Sequence, residues 1–473
     1  MLIELLQRFW FGFAILVALL FLSVWPFEQF SEFHDSQRMV SAILVAIALS
    51  ISLFTVRLSA QTIWIIIAVY IWGLSAVYLS PLPLWSMLEF GILFSCVLLG
   101  LVLIQKLKTH HIKQLFYVFV SIQAFYVTRN LTDYFVVVTT GARLEPYSLA
   151  NGFSNTRFYG QFLTWAIPFT IGVLTVNKEF PYRKVISFLV MIEWGLEFLT
   201  LNRSFLLAMA ATLLAAWWIA KVQWRRYAKL LLLTACGGFG LYLLMLHIIP
   251  GLLGLDTSFA VKHSSGRDIL NSSGRVQLWL DTVHLFLNHP WLGAGPMMTA
   301  LDTSSKISAH PHNFVLQLLA EWGILFALFI LVGCFMIALK WRKLVLVAND
   351  EHSLLALPIA VSLAAAAVAG LFDGLIVMPV SLIYMTLIIS MFTGLWRTLT
   401  PNDLRYPIPK LVIPVLLAPA VFTAVFAVMN WPHGSSTTSP PAQPMSGNGY
   451  KLLSQLNPRF WITGHISIIK KIE

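Results

Sequence analysis

Residues 271–326 concentrate the side chains of this sequence that could bind or activate a polar molecule. Arg275 ends a Ser-Ser-Gly-Arg turn, with Gly274 directly before it. A guanidinium presents a planar fork of donors that can pair with two phosphate oxygens. Arg267, also preceded by Ser-Ser-Gly, is either a second contact or an incidental repeat. The alternative for Arg275 is an ordinary surface arginine.

Two histidines lie at the far end of the same stretch. His310 and His312 flank a proline, so their side chains should share one face of an extended segment. An imidazole titrates near neutral pH and can act as a general base, with His312 favoured over His310. The alternative is a histidine bonded to backbone at a helix start, which Asn313 would cap. The chain contains no His-x-x-x-His or Asp-x-Asp pattern, so we expect no metal and no cofactor.

Arg203 opens an apolar run, a position where a charge is costly unless it is paired or faces water. The alternative is an arginine that extends to the membrane interface as an anchor. Glu193 and Glu197 are four residues apart, hence on one helix face, and could pair with Arg203.

Asp373 lies between two apolar runs. It could balance an arginine or orient the base, or simply cap a helix end. Glu321, one or two turns into its helix, is a further buried acid that could support the site.

The composition defines the protein class. Of 473 residues, 58% are hydrophobic and 11% are charged, which is typical of a polytopic membrane protein. The net charge of +11 is divided among short clusters and forms no continuous basic face, so we expect no nucleic-acid partner. Its three cysteines have neither ligand spacing nor a disulfide pattern.

The apolar runs predict an all-α integral membrane protein with about 12–13 transmembrane helices. The spans are expected near residues 9–28, 39–57, 62–80, 85–105, 114–138, 159–176, 184–201, 203–221, 229–249, 313–339, 353–372, 376–396 and 411–429. Arg129, Asn130 and Asp133 make the fifth span doubtful.

The distribution of basic residues predicts the orientation in the membrane. Basic clusters fall on alternate loops, which places the other loops outside the cytoplasm. The predicted parts are N-terminal helices (1–249), a large external loop with the candidate site (250–312), C-terminal helices (313–429) and an external tail (430–473). Within the loop, 276–288 has the pattern of an amphipathic helix that ends at His289-Pro290.

The motifs of this stretch resemble those of the O-antigen ligase and polymerase superfamily. The pattern extends over about 150–375, and the two ends of the chain carry no usable motif. The residues that carry the resemblance are Gly274-Arg275, Trp279, His289-Pro290, Gly293, Gly295, His310, His312-Asn313, Leu316-Gln317, Glu321 and Gly323, together with Arg203 and Leu207.

That resemblance implies an inverting glycosyltransferase in the bacterial inner membrane, with its active site facing the periplasm. Its donor would be a glycan on undecaprenyl diphosphate. Arg203 and Arg275 would hold the diphosphate in place of a metal, and the histidine would deprotonate the acceptor hydroxyl.

The acceptor stays open among three kinds. Ligases use lipid A–core, polymerases extend the growing glycan, and protein O-oligosaccharyltransferases modify an exported protein such as a pilin. We expect a ligase. The hypothesis from another class is a transporter for the same lipid-linked glycans, but the two matching halves common in transporters are not visible.

Overall fold

The computed structural model describes residues 33–106, 109–144, 153, 156–200, 202–220, 223–258, 275–300, 310–347, 353–399 and 405–429. The helices of these residues are α1 (Phe33–Ser52), α2 (Ala60–Tyr78), α3 (Pro83–Lys106), α4 (Thr109–Thr140), α5 (Thr156–Val176), α6 (Arg183–Thr200), α7 (Arg203–Ile219), α8 (Trp224–Leu243), α9 (Ile249–Leu253), α10 (Arg275–Asn288), α11 (Phe314–Val347), α12 (Ser353–Ala369), α13 (Pro379–Leu399) and α14 (Val412–Met429). Two short strands, β1 (Arg57–Leu58) and β2 (Tyr406–Pro407), pair antiparallel.

Among the described residues, seven helical stretches are long and apolar enough to cross a membrane. They are Ala60–Tyr78, Pro83–Leu103, Thr156–Val176, Trp224–Leu253, Phe314–Arg342, Pro379–Trp396 and Val412–Met429. The prediction of an all-α polytopic membrane protein is confirmed. The predicted first span (9–28) and the tail (430–473) lie outside the described residues.

Two details differ from the sequence-based expectation. The span that Arg129, Asn130 and Asp133 appeared to interrupt belongs to one continuous helix, α4, in which Asn130 is fully buried. A π-helical segment, Leu244–Ile248, joins α8 to α9. The helix therefore continues to Leu253, past the boundary predicted at residue 249.

Helix α5 lies at the centre of the bundle, and every residue from 159 to 175 is buried. It packs against α12, which also packs against α7. Gly172 allows this close approach, because a Cβ there would overlap the backbone of Pro358. Nearer the start of α5, the Ser362 hydroxyl donates to the carbonyl of Trp165 at 2.9 Å. The two helices run antiparallel, so the start of α5 lies beside the end of α12.

Helix α11 is broken at Gly323, whose φ of 78° and ψ of 170° are accessible essentially only to glycine. The segment that follows α10 fills this break. The amide of Ala294 donates to the carbonyl of Ala320 at 2.8 Å, and the amide of Ile324 donates to the carbonyl of Pro290 at 2.9 Å. These bonds satisfy backbone groups that the break would otherwise leave unpaired.

Candidate active site

Asp373 is the buried centre of the candidate site. It lies in the turn between α12 and α13 and is 3% exposed. Its Oδ1 accepts hydrogen bonds from Gln161 Nε2 and from the Gly374 amide, both at 2.8 Å. The Ser204 hydroxyl lies 3.3 Å from Oδ2. Donors from α5, α7 and its own turn therefore hold the carboxylate in one orientation.

These contacts keep Asp373 ionised. Burial alone would raise the pKa of its carboxyl group, because it disfavours the charged form. The neighbouring His312 imidazole lowers the pKa, and the hydrogen bonds from the Gly374 amide and Gln161 lower it further, to about 2. The carboxylate therefore provides a fixed negative charge next to a histidine.

His310 and His312 lie together beside this carboxylate. His310 Nε2 is 3.1 Å from His312 Nδ1, and His312 Nδ1 is 3.6 Å from Asp373 Oδ1. The His310 ring lies directly against Gly374, where a Cβ would overlap it. His310 is buried, whereas the His312 side chain keeps 14% exposure. Of the two imidazoles, His312 is the one better placed to meet a substrate.

The backbone around the histidines is tightly held. His312 has a φ of 52°, a left-handed conformation that is strained for a residue with a side chain. Its neighbour Asn313 caps α11, since its Oδ1 accepts from the amides of Val315 and Leu316 at 3.0 and 3.1 Å. The Trp279 Nε1 on α10 donates to the carbonyl of Pro311 at 2.8 Å. This last hydrogen bond links α10 to the segment that contains His310 and His312.

Three arginines occupy the first turns of three helices that begin around this carboxylate. Arg157 is the second residue of α5, Arg203 is the first of α7 and Arg275 is the first of α10, and all three are half-buried. Burial lowers the pKa of Arg275; the charge of Asp373 raises it, and Arg157 and Arg203 lower it. Arg275 therefore lies within electrostatic range of Asp373 and of the other two guanidinium groups.

The arrangement suits an anionic substrate. Among the described residues, three guanidinium groups lie around the Asp373 carboxylate, and the first turn of a helix adds the positive end of its dipole. Among the described residues, no three His, Cys, Asp or Glu side chains are grouped so that they could hold a metal ion. The positive charge that the described residues supply here is that of arginine.

Glu321 is fully buried and contacts the loop that follows α10. Its Oε1 accepts from the Thr299 hydroxyl at 2.5 Å, and its Oε2 lies 3.3 Å from Gln317 Nε2. These contacts hold the loop that fills the break in α11. Gly274, the other residue expected to support the site, lies outside the described residues.

The expected pairing of Glu193 and Glu197 with Arg203 is wrong. Glu193 instead accepts from Gln123 Nε2 at 3.0 Å. Neither carboxylate oxygen of Glu197 has a hydrogen-bond partner in the described part of the chain. Helical spacing placed both acids on one face, but that face is turned into the bundle beside α4 and α5.

Sequence reasoning missed three residues of the site: Arg157, Gln161 and Ser204. A usable signal existed for the first two. Arg157 and Gln161 are four residues apart at the start of an apolar run, so they share a helix face. The criterion that selected Arg203, a charge at the opening of an apolar helix, also applies to Arg157. Nothing in the sequence distinguishes Ser204 from other serines.

Comparison with known proteins found a family match for the central part of the chain. Residues 186–332 match the sequence model of the O-antigen ligase family. The match covers about a third of the chain and supports the resemblance to O-antigen ligases that the motifs indicate. The matched range contains Arg203, Arg275 and both histidines, whereas Asp373 and Arg157 lie outside it. No curated protein and no solved structure matched the chain.

The matched family has general properties that bear on this chain. Its members are glycosyltransferase-type enzymes of the bacterial inner membrane, and they act on lipid-linked glycans. A bundle with several membrane-spanning helices agrees with that setting.

Proposed function

We propose that the protein is an inverting, metal-independent glycosyltransferase that moves a glycan from undecaprenyl diphosphate to a hydroxyl of lipid A–core. The reaction would take place at the periplasmic face of the inner membrane. The observation that carries this proposal is that Arg275 lies within electrostatic range of both Arg203 and Asp373, while His312 Nδ1 lies 3.6 Å from Asp373 Oδ1.

The arginines bind the diphosphate of the donor. Arg203 and Arg275 begin α7 and α10, so an anion between them would also meet the positive ends of two helix dipoles. Fixed cations in a partly buried cavity stabilise negative charge more strongly than they would in water. This is the place where the leaving group develops its charge.

His312 acts as the base. The ionised Asp373 carboxylate can accept a hydrogen bond but cannot donate one. The tautomer of His312 that suits it therefore carries its proton on Nδ1. The lone pair of Nε2 is then left to accept the proton of an acceptor hydroxyl. Asp373 stabilises the imidazolium that forms, as a carboxylate does behind the histidine of a hydrolytic triad.

In this reaction, each bond that forms is matched by a bond that breaks. The acceptor oxygen attacks the anomeric carbon as its proton passes to His312 Nε2. The bond from that carbon to the diphosphate oxygen breaks, and its electron pair leaves with undecaprenyl diphosphate. A single displacement inverts the configuration at the anomeric carbon.

The experiment offers purified protein one donor and three acceptors in separate reactions. The donor is an undecaprenyl-diphosphate-linked glycan, with EDTA present, and the acceptors are lipid A–core, more donor and a pilin. We expect product with lipid A–core. A ladder from donor alone would make the protein a polymerase, and a modified pilin would make it a protein O-oligosaccharyltransferase.

Product in none of the three reactions, from protein that is still folded, would favour a transporter for the same glycans. The variants Arg203→Ala and Arg275→Ala should insert normally in the membrane and transfer nothing. Transfer retained in both variants would refute the role of the arginines.

A further inference from the structure

The charge on the donor changes during the proposed reaction. A diphosphate esterified at both ends carries one negative charge on each phosphate. When the sugar leaves, the terminal phosphate becomes a monoester, which carries about −1.5 to −2 near pH 7. The site must therefore meet two negative charges at first and close to three at the end.

Arg203 and Arg275 alone do not supply that charge. Their two positive charges are partly cancelled by Asp373, which leaves one. Proton transfer to His312 adds one more. Among the residues that the structure describes, this set falls one positive charge short of the diphosphate throughout the reaction.

Arg157 is positioned to supply the missing charge. Its carbonyl accepts from Asn202 Nδ2 at 3.5 Å, so it lies beside the residue that precedes Arg203. Gln161, one turn further along α5 and on the same face, donates to Asp373. Arg157 is also within electrostatic range of Arg275. These relations come from three different helices and agree on one location.

We propose that Arg157 is a third catalytic cation, which binds the phosphate next to the sugar and neutralises the charge that develops there as the glycosidic bond breaks. This inference rests on the proposed function. With Arg157, the arginines, Asp373 and His312 together carry two positive charges against the bound donor and three once His312 holds the proton. The leaving group then needs no proton, so no general acid is required.

The phosphate met by Arg157 carries one negative charge in the bound donor and nearly two as the bond breaks, so removal of Arg157 should raise the KM for donor and should also lower kcat. In Arg157→Gln we expect kcat to fall by about 10- to 100-fold, the effect of one charge-assisted hydrogen bond. The donor KM should rise as well, by about 10-fold. The inhibition constant of the product undecaprenyl diphosphate should rise by about 10-fold.

Two further variants control for charge and structure. Arg157→Lys keeps the charge without the fork and should fall between wild type and Arg157→Gln. Arg143→Gln removes an exposed arginine at the same end of the bundle and should behave as wild type. Each substitution at 157 leaves the bond from Asn202 intact, because that bond is to the backbone.

An unchanged kcat in Arg157→Gln would overturn the inference. It would also be overturned if the Gln and Lys variants lost kcat equally and both unfolded at a lower temperature than wild type. Binding of undecaprenyl diphosphate to purified protein separates this inference from the proposed function. Wild type that binds it but transfers no glycan refutes the function. Undiminished binding by Arg157→Gln refutes the role of Arg157.

Discussion

Replacing Asp373 with asparagine tests the proposed link between the carboxylate and the base. Asparagine has nearly the same shape, and its carbonyl oxygen can accept the bonds from Gln161 and the Gly374 amide. The substitution therefore removes the negative charge beside His312 while it keeps the turn in place.

The size of the effect follows from the pKa of Asp373. Burial raises this pKa, yet His312 and the hydrogen bonds lower it overall from an ordinary value of 3.8 to about 2. At about 1.4 kcal/mol per pKa unit, the site favours the carboxylate by roughly 2 kcal/mol. His312 is the largest cause of the lowering. We expect the Asn variant to lose a similar stabilisation of the imidazolium and to show a kcat about 30-fold lower.

The pH dependence has a definite sign. Because the pKa of Asp373 is lowered in the folded protein, its ionisation stabilises the fold above pH 3.8, and that contribution is lost as the pH falls towards about 2. Asp373 therefore stays ionised in an assay between about pH 5 and 9. Any titration of activity in that window therefore belongs to another group.

The assay measures the initial rate of glycan transfer across this pH range for wild type, Asp373→Asn and Asp256→Asn. Asp256 is an exposed carboxylate at the end of α9 and serves as the matched control. If Asp373→Asn keeps a kcat within about 3-fold of wild type and the same pH profile, Asp373 does not support the base.

Four further substitutions test the site and its surroundings. His312→Ala should reduce transfer more than His310→Ala, and the reverse order of rates would assign the base to His310. Gly374→Ala places a methyl group against the buried His310 ring. It should lower kcat, measured in a rate assay, and should leave membrane insertion unchanged, measured by membrane fractionation. Gly323→Ala should destabilise the protein by at least about 1–3 kcal/mol, because its backbone conformation excludes a side chain. Thermal unfolding in detergent would measure this loss of stability. The control is Gly333→Ala on the same helix, where an added Cβ meets no atom within 4 Å.

The break in α11 and the burial of Glu193 and Glu197 show where sequence patterns stop being informative. The run from residue 313 is apolar enough for one span, so nothing in its hydropathy marks Gly323 as a break. The break is stable because a segment about 30 residues earlier supplies its hydrogen bonds. Likewise, helical spacing put the two acids on one face but could not give the direction of that face.

The sequence by itself determined the membrane class, the positions of the helices after residue 33 and the candidate roles of Arg203, Arg275 and His312. These depend on local properties: apolar length, and the cost of a charge at the opening of an apolar helix. A likeness in motif then indicated the family.

Only the tertiary structure brought Asp373 to His312 and Arg157 to the other arginines. Gln161 and Asp373 are 212 positions apart, and they meet because α5 and α12 pack antiparallel around Gly172. Such a contact depends on the packing of whole helices, which the pattern of any one segment does not contain.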